Sequence, residues 1–137
     1  MLCALPAGAA ELTVGSKRFT ESYILGEIIA RTARSAGEAQ VAFKPGLGNT
    51  AVVFAALKNG AIDVYPEYSG TIAFELLGGR TSPDIAAINQ ALAADGLAAS
   101  VPLGFNNTYA LAMSEKVAQK LGIVAISDLA RHPDLNI

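Results

Sequence analysis

Three short stretches hold the residues that could do chemistry. "GSKRFTE" (residues 15–21) supplies Ser16 and Lys17, "YPEYSGT" (65–71) supplies Tyr65, Tyr68 and Thr71, and "NNTY" (106–109) supplies Asn107 and Tyr109. Together they offer aromatic faces, one cation, an amide and hydroxyls. Tyrosine rings attract a quaternary ammonium through their electron-rich faces, a gain of about 0.5–1 kcal/mol per exposed ring and about 2 kcal/mol or more when desolvated. Such an ammonium has no N–H to donate, so ring faces suit it better than carbonyls. A carboxylate would instead seek Lys17, Thr71, Asn107 or backbone N–H groups at a helix start. The set therefore suits a small ligand that is cationic at one end and anionic at the other. Plainer readings stay open: Tyr65 as a wedge at the core boundary with its hydroxyl in water, and Lys17 as a solvated lysine. Lys17, Tyr68, Thr71, Asn107 and Tyr109 are the primary candidates, with Ser16 and Tyr65 secondary.

Other chemistries find little support. A nucleophilic Ser16 or Ser69 would need a base, and the single histidine, His132, stands far along the chain in "RHPD". "YSG" lacks the G-x-S-x-G elbow. "GLGNT" (46–50) lacks the Gly-Lys-Ser/Thr ending of a phosphate loop, and reads as a turn into a capped helix. Asp63 and Glu67 are separated by Pro66, and nothing marks them as a catalytic pair. With no cysteine beyond Cys3 and no second histidine, neither a zinc set nor a disulfide framework is expected. No enzymatic activity, metal or cofactor is expected.

These residues must be positioned by a fold of modest size. The chain has 137 residues, 52% of them hydrophobic and 16% charged, so it can bury a core and is not disordered. A net charge of -2 gives no reason to expect nucleic acid or an acidic membrane as partner, and no apolar run approaches the roughly 20 residues that span a bilayer. Residues 1–10, "MLCALPAGAA", read as the tail of a secretory signal peptide or as a disordered leader. Strands are expected at 11–15, 40–44 and 61–65. The first helix runs from Thr20 as cap to Gly37, with Ile24, Leu25, Ile28 and Ile29 at helical spacing. Further helices are expected after Asn49, from about Ser69 and from Ser82-Pro83. Residues 97–104 read as strand or loop, 108–114 as a strand, 115–122 as a helix, 126–132 as a turn capped by Ser127, and 135–137 as the opening of another strand. Strand and helix alternate with short connections, the pattern of an α/β fold with a doubly wound, mainly parallel sheet. In such sheets ligands gather at the carboxyl ends of the strands, where all three stretches fall.

"LTVGSKRFTESYILGEIIA", "GLGNTAVVFAALKNGAIDVYPEYSGT" and "FNNTYALAMSEKVAQKLGIVAISDLA" resemble the substrate-binding components of osmoprotectant ABC importers, which bind glycine betaine, choline, carnitine or related solutes. The resemblance runs from about Glu11 to the end. It implies a two-lobed periplasmic-binding-protein architecture that closes on its ligand, here with lobe I at 11–105 and the hinge crossing and start of lobe II at 106–137. It implies that Tyr68 and Tyr109 supply rings to an ammonium cage, and that Thr71 and Asn107 contact the other end of the ligand. Lys17 falls where family members commonly place glutamine, which would favour a carboxylate-bearing solute, and Ser69 replaces the commoner threonine. It also implies an ABC permease as partner and a periplasmic or extracytoplasmic location, free or membrane-tethered. Such proteins run about twice this length. The chain is therefore expected to be a fragment or a shortened relative, with an uncovered second-lobe face (Leu111, Val117, Leu121, Leu129) that invites homodimerisation or segment exchange. The rival reading is an interaction or regulatory domain that kept the fold and lost tight ligand binding.

Overall fold

Among the described residues the sheet holds two strands, short of the doubly wound sheet expected, and β1 (Ala10–Gly15) is bonded on both edges. On one side it pairs in parallel with β2 (Ala39–Lys44), from Ala10 opposite Ala39 to Gly15 opposite Lys44. On the other side Val14 forms a parallel bridge with Val64. The computed structural model describes residues 10–37 and 39–135. The chain divides into two compact units, Met1–Pro102 and Leu103–Ile137. Of the leader expected at 1–10, residues 1–9 lie outside the described residues, and Ala10 belongs to β1 instead.

A parallel pair needs a crossover, and α1 (Thr20–Ala36) provides it. The face this helix buries is made of small residues at four-residue spacing: Ser22, Gly26 and Ala30. Ile24 and Ile28, which the helical spacing pointed toward a core, are more than half exposed. The small stripe lets the helix lie close to the sheet. A Cβ at Gly26 would stand 2.8 Å from Cε2 of Phe43 on β2 and 3.3 Å from Cβ of Ser16. Gly37 ends the helix in the left-handed conformation, as expected. The N-cap is Phe19, not Thr20, with no side-chain cap bond. Ser22 is turned back instead, and its Oγ accepts the Lys17 N–H at 2.9 Å.

α2 (Thr50–Lys58) starts as expected, with Asn49 accepting the Val52 N–H. The strand expected at 61–65 is reduced to the Val64 bridge. Asp63 explains part of this: its Oδ2 accepts the Thr13 N–H at 2.6 Å while its own N–H donates to Thr13 O at 2.8 Å. A side chain has taken a place that a strand carbonyl would hold. The helix expected from Ser69 is also shorter. α3 covers Ser69–Thr71 and widens into a π-helical turn, Ile72–Leu76, closed by the Leu77 N–H on Ile72 O. Asp84, not Ser82, caps α4 (Ile85–Leu92), accepting from the Ala86 and Ala87 N–H groups. Leu77, Ile88 and Leu92 form the buried cluster, with Phe54, Ile72, Leu97 and Ala99 packed against it. Asn89 pins the following segment as loop: its side chain both accepts from Ala99 N and donates to Ala99 O.

The second unit is helical among its described residues. α5 (Glu115–Leu121) is capped by Ser114 and ends at left-handed Gly122. A 3₁₀ turn, Ile126–Arg131, follows. Its N-cap is Ala125 and not Ser127: the carboxylate of Asp128, inside the turn, reaches back to accept from Val124 N and Ala125 N, and these bonds hold its pKa below the usual aspartate value. Residues 108–114 are not a strand. Strand backbone needs lateral partners, and the described part of this unit contains no strand to provide them. The strand expected at 135–137 falls partly outside the described residues.

The Gly26 contact is testable. Overpacking costs about 1–3 kcal/mol, and alanine returns about 1 kcal/mol of helix propensity. Gly26→Ala should therefore lose about 1 kcal/mol and Gly26→Val distinctly more, read as falling denaturation midpoints. Unchanged midpoints in both variants would rule out the close packing.

Candidate functional site

The first unit brings two of the three sequence stretches together at the carboxyl ends of β1 and of the Val64 segment. The loop after β1 is fastened first. Ser16 is fully buried, its N–H donates to Lys44 O, and its Oγ accepts the Gly46 N–H at 3.0 Å. Gly46 sits at φ 68°, where a side chain is strained and a Cβ would press on Tyr23. The Leu47 N–H returns to Ser16 O. Ser16 thus works as a fastener between two loops.

Lys17 follows and is not a solvated lysine. Its Nζ lies 2.6 Å from Glu67 Oε1, and the two side chains are only 8% and 5% exposed. The same Glu67 oxygen accepts the Tyr68 N–H at 3.0 Å. The ammonium also stands 5.4 Å from the centre of the Phe19 ring. Removing one member of a buried pair typically costs about 3–5 kcal/mol, because the other charge stays behind without compensation. Glu67 Oε2 is buried with no hydrogen-bond partner.

Tyr68 is held at both ends. Its backbone is tied to Glu67, and its hydroxyl donates a short hydrogen bond to Glu21 Oε1 on the first turn of α1. Thr71 is half-buried at the end of α3, immediately before the π-helical widening. Tyr65 is also half-buried. Its phenol is pushed well above the usual tyrosine range, first by burial and then by the negative charge of Glu67, with Glu75 adding a smaller effect.

Asn107 and Tyr109 belong to the second unit. Asn107 is exposed there, and the Tyr109 ring is fully exposed. Lys17, Tyr65 and Tyr68 gather around Glu67 in the first unit, while Asn107 and Tyr109 belong to the second. Sequence reasoning missed Glu67 and Glu21. The available signal was topological: loops that follow neighbouring parallel strands end side by side, so a lysine in one and a carboxylate in the other are placed to pair. Among the described residues no cluster of His, Cys, Asp and Glu could hold a metal ion, and no helix is long and apolar enough to cross a membrane.

The first unit is thus an α/β unit with tyrosines and a buried ion pair at its strand ends. The chain belongs to the family described as the substrate binding domain of ABC-type glycine betaine transport systems, whose profile matches residues 10–137. It is 40% identical over 129 residues to a glycine-betaine-binding protein of Pseudomonas aeruginosa, covering 91% of this chain and 41% of the relative. It is 34% identical over 139 residues to the glycine betaine-binding protein YehZ of Escherichia coli, covering 93% and 44%. It is 37% identical over 145 residues to the ergothioneine transport permease/ergothioneine binding protein EgtU of Helicobacter pylori, covering 93% and 24%. The solved structure of apo YehZ from Escherichia coli superposes with a TM-score of 0.67 at 31% identity, over 92% of this chain and 47% of that one. The chain thus spans less than half the length of these relatives.

The raised Tyr65 pKa gives a signed expectation. An acid whose folded pKa is raised contributes stability that is fully present below the unfolded value of about 10. That contribution is lost as pH climbs through the raised value, because the unfolded chain gives up its proton first. Alkaline difference spectra should show the Tyr65 absorbance step, identified by its loss in Tyr65→Phe, only above pH about 10. The fall in stability above that pH should be shallower in Tyr65→Phe. A Tyr65 step at the ordinary value would contradict the burial.

Proposed function

We propose that this chain forms the ligand-binding first lobe, with the start of the second, of an extracytoplasmic solute-binding protein that delivers a quaternary-ammonium zwitterion such as glycine betaine to an ABC permease. Tyr68 and Tyr109 present ring faces to the ammonium, and Thr71 and Asn107 bind the opposite pole. Lys17 belongs to the same wall, with its charge already committed to Glu67, and Ser16 and Tyr65 lie behind it. The observation that carries the reading is Tyr68, tied through its backbone to Glu67 and through its hydroxyl to Glu21. A ring held at both ends keeps its face in place before any ligand arrives, which lowers the entropic cost of binding. Family membership supports the same reading. The solutes in the relatives' names, glycine betaine and ergothioneine, both join a trimethylammonium to a carboxylate.

Calorimetry on the 137-residue chain with glycine betaine, choline and proline tests the proposal. Binding of the two ammonium compounds and not of proline is expected. Tyr68→Ala and Tyr109→Ala should each remove about 2 kcal/mol, or roughly 30-fold in affinity. Wild-type affinity in both variants would sink the cage.

Of the face expected to be uncovered, Leu111 and Val117 are exposed while Leu121 and Leu129 are half-buried, and Leu103, Val124 and Ile126 are exposed as well. Contact between such faces of two copies would bury apolar surface. Light scattering should show mass rising with concentration for this chain, and a constant monomer mass across the range would refute self-association.

A further inference from the structure

We infer that Lys17 is a positioning residue and not a contact to the ligand's carboxylate: with Glu67 it forms a charge-neutral clamp that sets the backbone of Tyr68. The inference rests on the proposed binding of an ammonium solute and gives Lys17 a different task within that site. Three observations converge. The lysine side chain is almost fully buried, so its ammonium is not displayed to solvent. Its charge is met at 2.6 Å by a carboxylate that is equally buried. The oxygen that meets it is the one that accepts the Tyr68 N–H. A ligand carboxylate seeking Lys17 would have to displace Glu67, leave that carboxylate buried without its cation, and release the residue that carries the ring. The desolvation of Glu67 alone opposes that exchange.

The chain of dependence is short. Ser22 Oγ accepts the Lys17 N–H and Ser16 fastens the loop to Gly46, so the lysine starts from a fixed backbone. Its ammonium then fixes Glu67 Oε1, and Glu67 fixes the Tyr68 N–H. A neutral pair adds no net charge to the wall. The wall therefore selects through the tyrosine ring for the cationic pole, and the anionic pole has to be recognised by other groups.

Two ligand probes separate the alternatives: glycine betaine, which has a carboxylate, and tetramethylammonium, which has none. In Lys17→Met the clamp predicts that both affinities fall by the same factor, so their ratio stays within about twofold of wild type. A selective loss for glycine betaine, tenfold or more with tetramethylammonium unchanged, would overturn the inference and restore Lys17 as a carboxylate contact. Hydrogen exchange at the Tyr68 amide provides a readout that needs no ligand. Glu67→Leu should speed that exchange at least tenfold relative to the amides of β1. Lys17→Met should do likewise, because the unpaired carboxylate turns toward water. The double variant K17M/E67Q has no buried charge and keeps an acceptor for the Tyr68 N–H. It should return to within about threefold of wild type, and it covers the case in which a single variant does not fold. Unchanged Tyr68 protection in Glu67→Leu, or no recovery in the double variant, would refute the clamp. If the wild-type chain binds neither probe, the functional proposal fails, while the exchange series still decides the clamp.

Discussion

Two opposite charges withdrawn from water hold together the loops at the strand ends of the first unit. Lys17 and Glu67 come from loops fifty residues apart in sequence, and each side chain is more than nine-tenths buried. Neither could stay there alone, since an unpaired buried charge is far costlier than the pair. The pairing therefore dictates where both loops go. The loop after β1 must deliver an ammonium to the place where the Val64 segment delivers a carboxylate. Once that holds, Tyr68, the residue next to Glu67, has no freedom to wander. The Phe19 ring beside the ammonium and the buried hydroxyls of Ser16 and Ser22 support the same arrangement.

The sheet and the first helix make the pairing reachable. β1 is bonded on both edges, so its carboxyl end is fixed. The small-residue face of α1 lets the helix approach the sheet closely, and Glu21 on its first turn comes within reach of the Tyr68 hydroxyl. Asp63 ties the Val64 segment to β1 with a carboxylate where a longer strand would use its backbone. A short segment results, and it turns quickly into the loop that carries Tyr65, Glu67 and Tyr68. The wide π-helical turn after Thr71 belongs to the same region, and such turns are often found at functional sites.

Much of this was legible in the sequence. Alternation and spacing place β1, α1, β2, α2 and α5, and local cap chemistry at Asn49 and Gly37 marks two helix boundaries. The family resemblance rested on ordered motifs, and the family match over residues 10–137 agrees with it. Errors gathered where a competing side chain or a missing lateral partner overrides the local preference. Thr20 looked like a cap, but Ser22 is the residue whose hydroxyl serves the loop. Ser82 and Ser127 looked like caps, but nearby aspartates accept two N–H groups each and displace them. Residues 61–65 and 108–114 have strand-like composition, but composition does not provide a lateral partner.

The sequence by itself determined the class of fold and the order of the early elements. These are local properties: periodicity, turn chemistry and side-chain type act over a few residues. The state of each charge was decided only by the tertiary structure. Read alone, Lys17 is a free cation and Glu67 an unremarked carboxylate. Folding brings them to 2.6 Å in a dry setting, where each charge is met by the other. Burial and Coulomb attraction depend on distances across the fold, and no spacing along the chain encodes them.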